Sequence, residues 1–244
     1  MRVISGTLGP GIRYAFTDRN GGHSSPPYDS CNLSTRAGDE PVRVAANRRA
    51  VAGRLGIDPA SVTFLHQVHG SRVVVADGPW PGDDPQADGM VTRQPGLALA
   101  VLVADCTPVL VADPHARLIG AAHAGRVGLA AGIVPALLAR LRALGATLEH
   151  AAAAIGPSVC GGCYEVPAAI QAEVAAVAPA ARSLTRSGTT ALDIAAGVTA
   201  QLREGGVPTV TRFPVCTKES HDHFSHRREG SPGGRSAGYL WLEP

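Results

Sequence analysis

The chain has 244 residues, 45% of them hydrophobic and only 4% aromatic, enough for one large domain or two small ones with a core built mainly from Ala, Val and Leu. A formal net charge of +2 without a run of basic residues excludes a nucleic-acid footprint. The longest apolar stretches, residues 97–104 and 150–156, are far too short to span a membrane, the N-terminal residues contain no signal-peptide apolar region, and five cysteines make no disulfide framework, so a cytoplasmic protein is expected.

In chain order, a helix is expected over residues 40–56, with Pro41 in its first turn and Gly56 after its last. Strands follow over 62–67, 71–77, 96–105, 107–113 and 117–125, with a Gly/Pro/Asp-rich surface loop at 77–89. A helix over 128–145 carries Pro135 early enough for a first turn or a kink. A strand at 150–156, helices at 166–179 and 191–206, a loop at 228–236 and a strand at 237–243 complete the chain. The alternation of apolar and amphipathic runs points to an α/β or α+β class, a single layered domain over 1–244 with a mixed central sheet flanked by helices.

Three chemistry-bearing residues fall at the ends of expected strands: His69 after "VTFLHQVHG", Cys106 after "LALAVLVADC" and His123 in "RLIGAAHAG". Functional residues of α/β sheets gather at the carboxyl ends of strands. Two imidazoles and a thiol meeting there would make a three-ligand site with an open fourth position, as in catalytic zinc. Each alone reads equally well as a buried core residue.

The motifs "LHQVHG", "QADGMVT", "ADCTPVL", "AAHAG", "AIGPSVCGGCYEV" and "FSHRREG" resemble, in order and spacing, those of the YfiH-like family. That family is described as a laccase domain or polyphenol oxidase, and as a zinc-dependent purine nucleoside phosphorylase that also deaminates adenosine. The resemblance implies a metal held by His69, Cys106 and His123, zinc or else copper, with purine nucleosides and phosphate as partners and a monomer or homodimer as the assembly. His66 would be incidental, and Asp105 would orient a ligand or cap a turn. The chain departs from the family at "HAGRVG", where Arg126 and Val127 replace Trp and Arg, at "SHRREG", and at "SVCGGCYEV", which adds a Cys160–Cys163 pair.

Phosphorolysis needs an anion site, for which Arg48, Arg227 and Arg228 are the candidates, with Arg49 and Lys218 behind them. Glu165 reads as a proton carrier or as a helix start. The CGGC pair has redox or zinc-knuckle spacing, but no second Cys-x-x-Cys follows, so two ordinary loop thiols are expected. A multicopper oxidase needs several His-x-His pairs, and His221–His223 is the single one. A rival enzyme reading makes Cys106 a nucleophile and His123 its base, a cysteine hydrolase or deamidase. A non-enzymatic metal or redox module on the CGGC loop is the third.

Overall fold

The computed structural model describes all 244 residues. Its strands are β1 (Val3–Thr7), β2 (Ile12–Thr17), β3 (Val62–Thr63), β4 (Val73–Val75), β5 (Gly89–Thr92), β6 (Ala98–Val103), β7 (Thr107–Asp113), β8 (Leu118–Ala124), β9 (Ala152–Ile155), β10 (Arg182–Leu184), β11 (Thr190–Leu192), β12 (Thr209–Arg212) and β13 (Ser236–Leu242). The helices are α1 (Pro41–Leu55), α2 (Arg126–Ala130), α3 (Ile133–Ala143), α4 (Ala168–Val177), α5 (Ile194–Glu204) and α6 (His226–Glu229). None is long and apolar enough to cross a membrane.

The expected mixed α/β class with helix-flanked mixed sheets holds, with the strands divided between two sheets. One runs β1-β2-β13-β6-β3, the other β12-β9-β7-β8-β5-β4, and β10–β11 form a separate hairpin. Period-two alternation explains the layering. In β6, Leu99 and Val101 face the second sheet while Ala98 and Ala100 face the opposite core with Val51 and Ala52 of α1. In β7, Leu110 and Ala112 face the first sheet, and Val109 and Val111 join the core formed with α3 and α5. The molecule is thus layered as helix, sheet, sheet, helices. The same alternation in β8 puts His123 on the side of Ile119 and Ala121, toward the space between the sheets.

Two expected elements differ. The run at 62–67 pairs as a strand only at Val62 and Thr63. Beyond them the Gln67 side chain replaces the backbone ladder: its Nε2 donates to the Leu102 carbonyl at 2.8 Å, and the Leu102 N–H donates to its Oε1 at 2.8 Å. The helix at 128–145 is two helices, broken where Gly132 takes φ 83°, a left-handed conformation suited to glycine. Pro135 falls in the first turn of α3, where its missing N–H costs little. Strand β5 overlaps the expected loop at Gly89, β11 takes the first two residues of the helix expected over 191–206, which begins at Ile194, and β1, β2, β10 and β12 are strands beyond those expected.

Candidate metal centre

Each member of the triad reaches the site differently. His123 is on β8, buried at 3% exposure. Cys106 ends the short turn by which the chain leaves β6 in one sheet and enters β7 in the other, and it is half-buried. His69 is not at a strand end but in the loop strapped to β6 by Gln67, and it is exposed. Two residues beside or within this group hold left-handed backbone without being glycine, His69 at φ 61° and Asp105 at φ 83°. Such conformations persist only where surrounding contacts enforce them.

At His69 the enforcing residue is Asp88, a fully buried carboxylate just before β5. It accepts from the N–H groups of Val68 at 3.1 Å, His69 at 2.9 Å and Gly70 at 2.7 Å. Successive N–H groups converging this way form an anion-holding nest. The same carboxylate contacts Nδ1 of His123 at 2.8 Å, and the His123 N–H donates to the Asp88 carbonyl. Asp88 therefore shapes the His69 loop and leaves Nε2 of His123 free for another partner, the usual support of a metal-binding imidazole. Burial raises the Asp88 carboxyl, but the His123 and backbone hydrogen bonds outweigh it and hold it below its ordinary range.

Asp105 has the other supporting role expected of it. Its carboxylate accepts from the Thr217 hydroxyl and the Arg227 N–H, both at 2.6 Å, tying the Cys106 turn to the C-terminal segment. Asp88 was absent from the sequence-based assignment, although the "QADG" motif contains it. One of four aspartates in a Gly/Pro/Asp-rich stretch carries no local mark of such a role.

The three ligand atoms lie within 4.8 Å of one another. His69 Nε2 is 4.0 Å from Cys106 Sγ, and the imidazole rings stand 80° apart with centroids at 4.8 Å. Burial would raise the Cys106 thiol, but the His123 charge and hydrogen bonds from both imidazoles bring it down to about 6. A thiolate at neutral pH between two imidazoles is a donor set for a soft or borderline divalent metal. Gly125 leaves room for it: a Cβ there would sit 3.0 Å from Cys106 Sγ and 3.1 Å from the His69 ring.

The triad lines a cavity of about 380 Å³ whose wall also includes Arg36, Arg48 and Arg235. Arg48 is stacked on Phe64, its Cζ 3.6 Å from the ring centroid, with Nε donating to the Leu33 carbonyl at 2.9 Å. Arg227 is over Tyr164 and lines an adjoining cavity of about 240 Å³ with His69, Cys106 and Arg126. Arg228 lines neither. Its guanidinium donates to the carbonyls of Thr217, Lys218, Ser220 and His223 and pairs with Glu229, so it fixes a loop. Arg49 is exposed, and Glu165 and Lys218 border a separate surface groove. His66 makes a backbone bridge to Gln86. His226 lines both cavities beside the triad, whereas His221 and His223 join no three-ligand group.

Comparisons with known proteins agree with this architecture. Residues 13–243 match the family model described as multi-copper polyphenol oxidoreductase laccase. The chain is 54% identical over 235 residues to a purine nucleoside phosphorylase of Streptomyces coelicolor, covering 96% of each. It superposes on the crystal structure of a Neisseria meningitidis protein of the DUF152 family with a TM-score of 0.89 and 32% identity, covering 100% of both chains. The crystal structure of the Bacillus licheniformis protein YfiH aligns with a TM-score of 0.86 and 28% identity, over 95% of this chain and 93% of that one. The chain belongs to the YfiH-like family of laccase-type proteins.

Proposed function

We propose that this protein is a purine nucleoside phosphorylase that also deaminates adenosine, with zinc held by His69, Cys106 and His123 in one catalytic domain over residues 1–244. The observation that carries the reading is the convergence of the triad's ligand atoms within 4.8 Å on the wall of a cavity of about 380 Å³ that three arginines also line. That volume is within the range of small-molecule sites, roughly 300–1,000 Å³. The name of the Streptomyces coelicolor relative supports the phosphorylase part.

Bound to this donor set, zinc supplies a Lewis acid that makes water acidic near neutral pH. The chain's own residues do the rest. Asp88 keeps Nδ1 of His123 engaged so that Nε2 faces the ligand position, and it holds the His69 loop in place. Leu65, Leu102 and Ala104 give the cavity an apolar wall against which a purine excludes water. In phosphorolysis a phosphate oxygen bonds to ribose C1′ as the bond to the base breaks. Arg48 and Arg235 line the cavity where that anion enters, and guanidinium suits phosphate by geometry. Arg227 belongs to the adjoining cavity and is the third candidate contact.

One observation favours a second reading. Cys106, His123 and Asp88 form a chain of thiolate, imidazole and carboxylate, the arrangement of a cysteine hydrolase. Metal removal separates the two. Protein stripped with a chelator should lose conversion of adenosine and inosine and regain it with zinc. Adenosine should give adenine and ribose 1-phosphate with phosphate, and inosine slowly without it. Turnover undiminished by stripping would move the cysteine hydrolase ahead, and absence of both adenine and inosine from zinc-loaded protein would reject the purine assignment.

A further inference from the structure

A second group of metal-ligating atoms is separate from the triad. The sulfurs of Cys160, Cys163 and Cys216 and a carboxylate oxygen of Glu219 lie within 4.8 Å of one another, and the three thiols are free. The sequence displays only the first pair, as CGGC. The fold brings to it a second pair of identical spacing, Cys216 and Glu219 in "CTKE".

The two pairs are built alike. In the first turn, the N–H groups of Cys163 and Tyr164 donate to the Cys160 carbonyl at 3.0 Å each. In the second, those of Glu219 and Ser220 donate to the Cys216 carbonyl at 3.2 and 2.9 Å. Each turn therefore presents residues i and i+3 from one side. A bridge between Ser158 and Cys216 holds the turns together, with the Thr217 N–H donating to the Ser158 carbonyl at 3.1 Å. The Cys160 N–H donates to Cys216 Sγ at 3.4 Å, and Arg186 donates to Cys163 Sγ at 3.5 Å while pairing with Glu219.

The geometry points to a structural metal site in which Cys160, Cys163 and Cys216 bind zinc as thiolates and Glu219 supplies the fourth ligand. Closed four-ligand sites of soft sulfur donors with i, i+3 spacing are the pattern of structural zinc. Bonds of about 2.3 Å to sulfur place tetrahedral ligand atoms about 3.8 Å apart. Two short turns reach that spacing from 4.8 Å by modest rotamer changes. Binding sends three thiol protons to solvent. Four anionic ligands around a divalent ion leave excess negative charge, which Arg186 and the Cys160 N–H offset. A thioredoxin-like role fits less well. Cys160 and Cys163 lie in a turn, not at a helix start, since α4 begins only at Ala168, and a third thiol shares the cluster.

The site would clamp the segment after β9 to the segment after β12. The first carries Tyr164, whose ring lies under Arg227 and lines the cavity beside Cys106. The second carries Thr217, which holds Asp105. Zinc here would support the triad from behind without touching substrate.

Metal content measured by mass spectrometry tests this in intact protein purified in reductant and passed through metal-free buffer. Wild type should hold two zinc ions per chain, and His69→Ala with Cys106→Ala should still hold one. Cobalt(II) in that double variant should give sulfur-to-cobalt charge-transfer absorption about three times that of cobalt in Cys160→Ser with Cys163→Ser, reflecting three thiolates against one. Glu219→Gln should retain the ion and release it to a chelator about tenfold faster. One zinc in wild type and none in the triad variant would overturn the site. So would a disulfide among them in reduced protein lacking the second ion. One zinc that survives the triad variant would support this site and reject the triad assignment instead. Wild type and the triad variant decide the matter even if the cysteine cluster variant fails to fold.

Discussion

Two regions of this molecule hold cysteines in opposite electrostatic settings. Around Cys106 the neighbours are imidazoles: burial pushes the thiol up, yet His123 and His69 bring it down to about 6. Around Cys163 the neighbours are Cys160, Cys216 and Glu219, which add to burial and push the thiol up to about 12. The contrast separates two ways of obtaining a thiolate. At the triad the protein itself stabilises the charge before any metal arrives. At the cluster the charge forms only when a cation takes the place of three protons.

The largest expected difference is in thiol ionisation. In metal-free protein, alkylation of Cys106 should rise through about pH 6, because a depressed thiol loses its proton as pH passes the shifted value. Cys163 should stay unlabelled through pH 9. Peptide mapping after brief iodoacetamide treatment reads both at once, and equal labelling at pH 7 would erase the contrast.

Turnover should divide the regions next. His69→Ala, Cys106→Ala and His123→Ala should each lower phosphorolysis and deamination together by about 10³-fold, of the order lost when catalytic groups are removed. Cys163→Ser should cost less than tenfold. A loss from Cys163→Ser as large as that from Cys106→Ala would place the cluster in the chemistry.

Asp88 sharpens the comparison through stability. Asp88→Ala strands the N–H groups of Val68, His69 and Gly70 and the Nδ1 proton of His123 in a buried setting. Breaking a buried charged network of this kind costs about 3–5 kcal/mol, which denaturant titration would measure. Gly125→Ala should have the smallest effect. Its backbone φ of −85° accepts alanine, so the added methyl tests only the crowding against Cys106 and His69. Zinc affinity should fall about tenfold, roughly 1.4 kcal/mol, in a competition titration, with the melting temperature little changed.

Much of the fold and the triad were legible in the sequence, and the reasons are specific. Near-continuous apolar runs marked β6, β7 and β8, and the Pro41 and Gly56 punctuation bounded α1. The motif resemblance selected His69, Cys106 and His123, which the fold gathers. The Gln67 strap was not legible, because a side chain there imitates a strand ladder over a separation of 35 residues. Arg228 looked like an anion contact beside Arg227, yet its donors close on loop carbonyls that sequence cannot place. His226, two residues before it, is the one turned toward the cavity.

What the sequence by itself determined are the features that adjacent residues encode: the apolar runs of the central strands, the periodicity of the helices, and the signals at helix ends. Tertiary structure alone decided how the strands divide between two sheets, that Asp88 serves both His69 and His123, and that Cys216 and Glu219 complete the pair begun at Cys160. The physical reason is range. Side-chain alternation follows from the geometry of a single strand. A ligand set or a shared carboxylate depends on registers between strands distant in the chain, which many local patterns satisfy equally well until the whole core is packed.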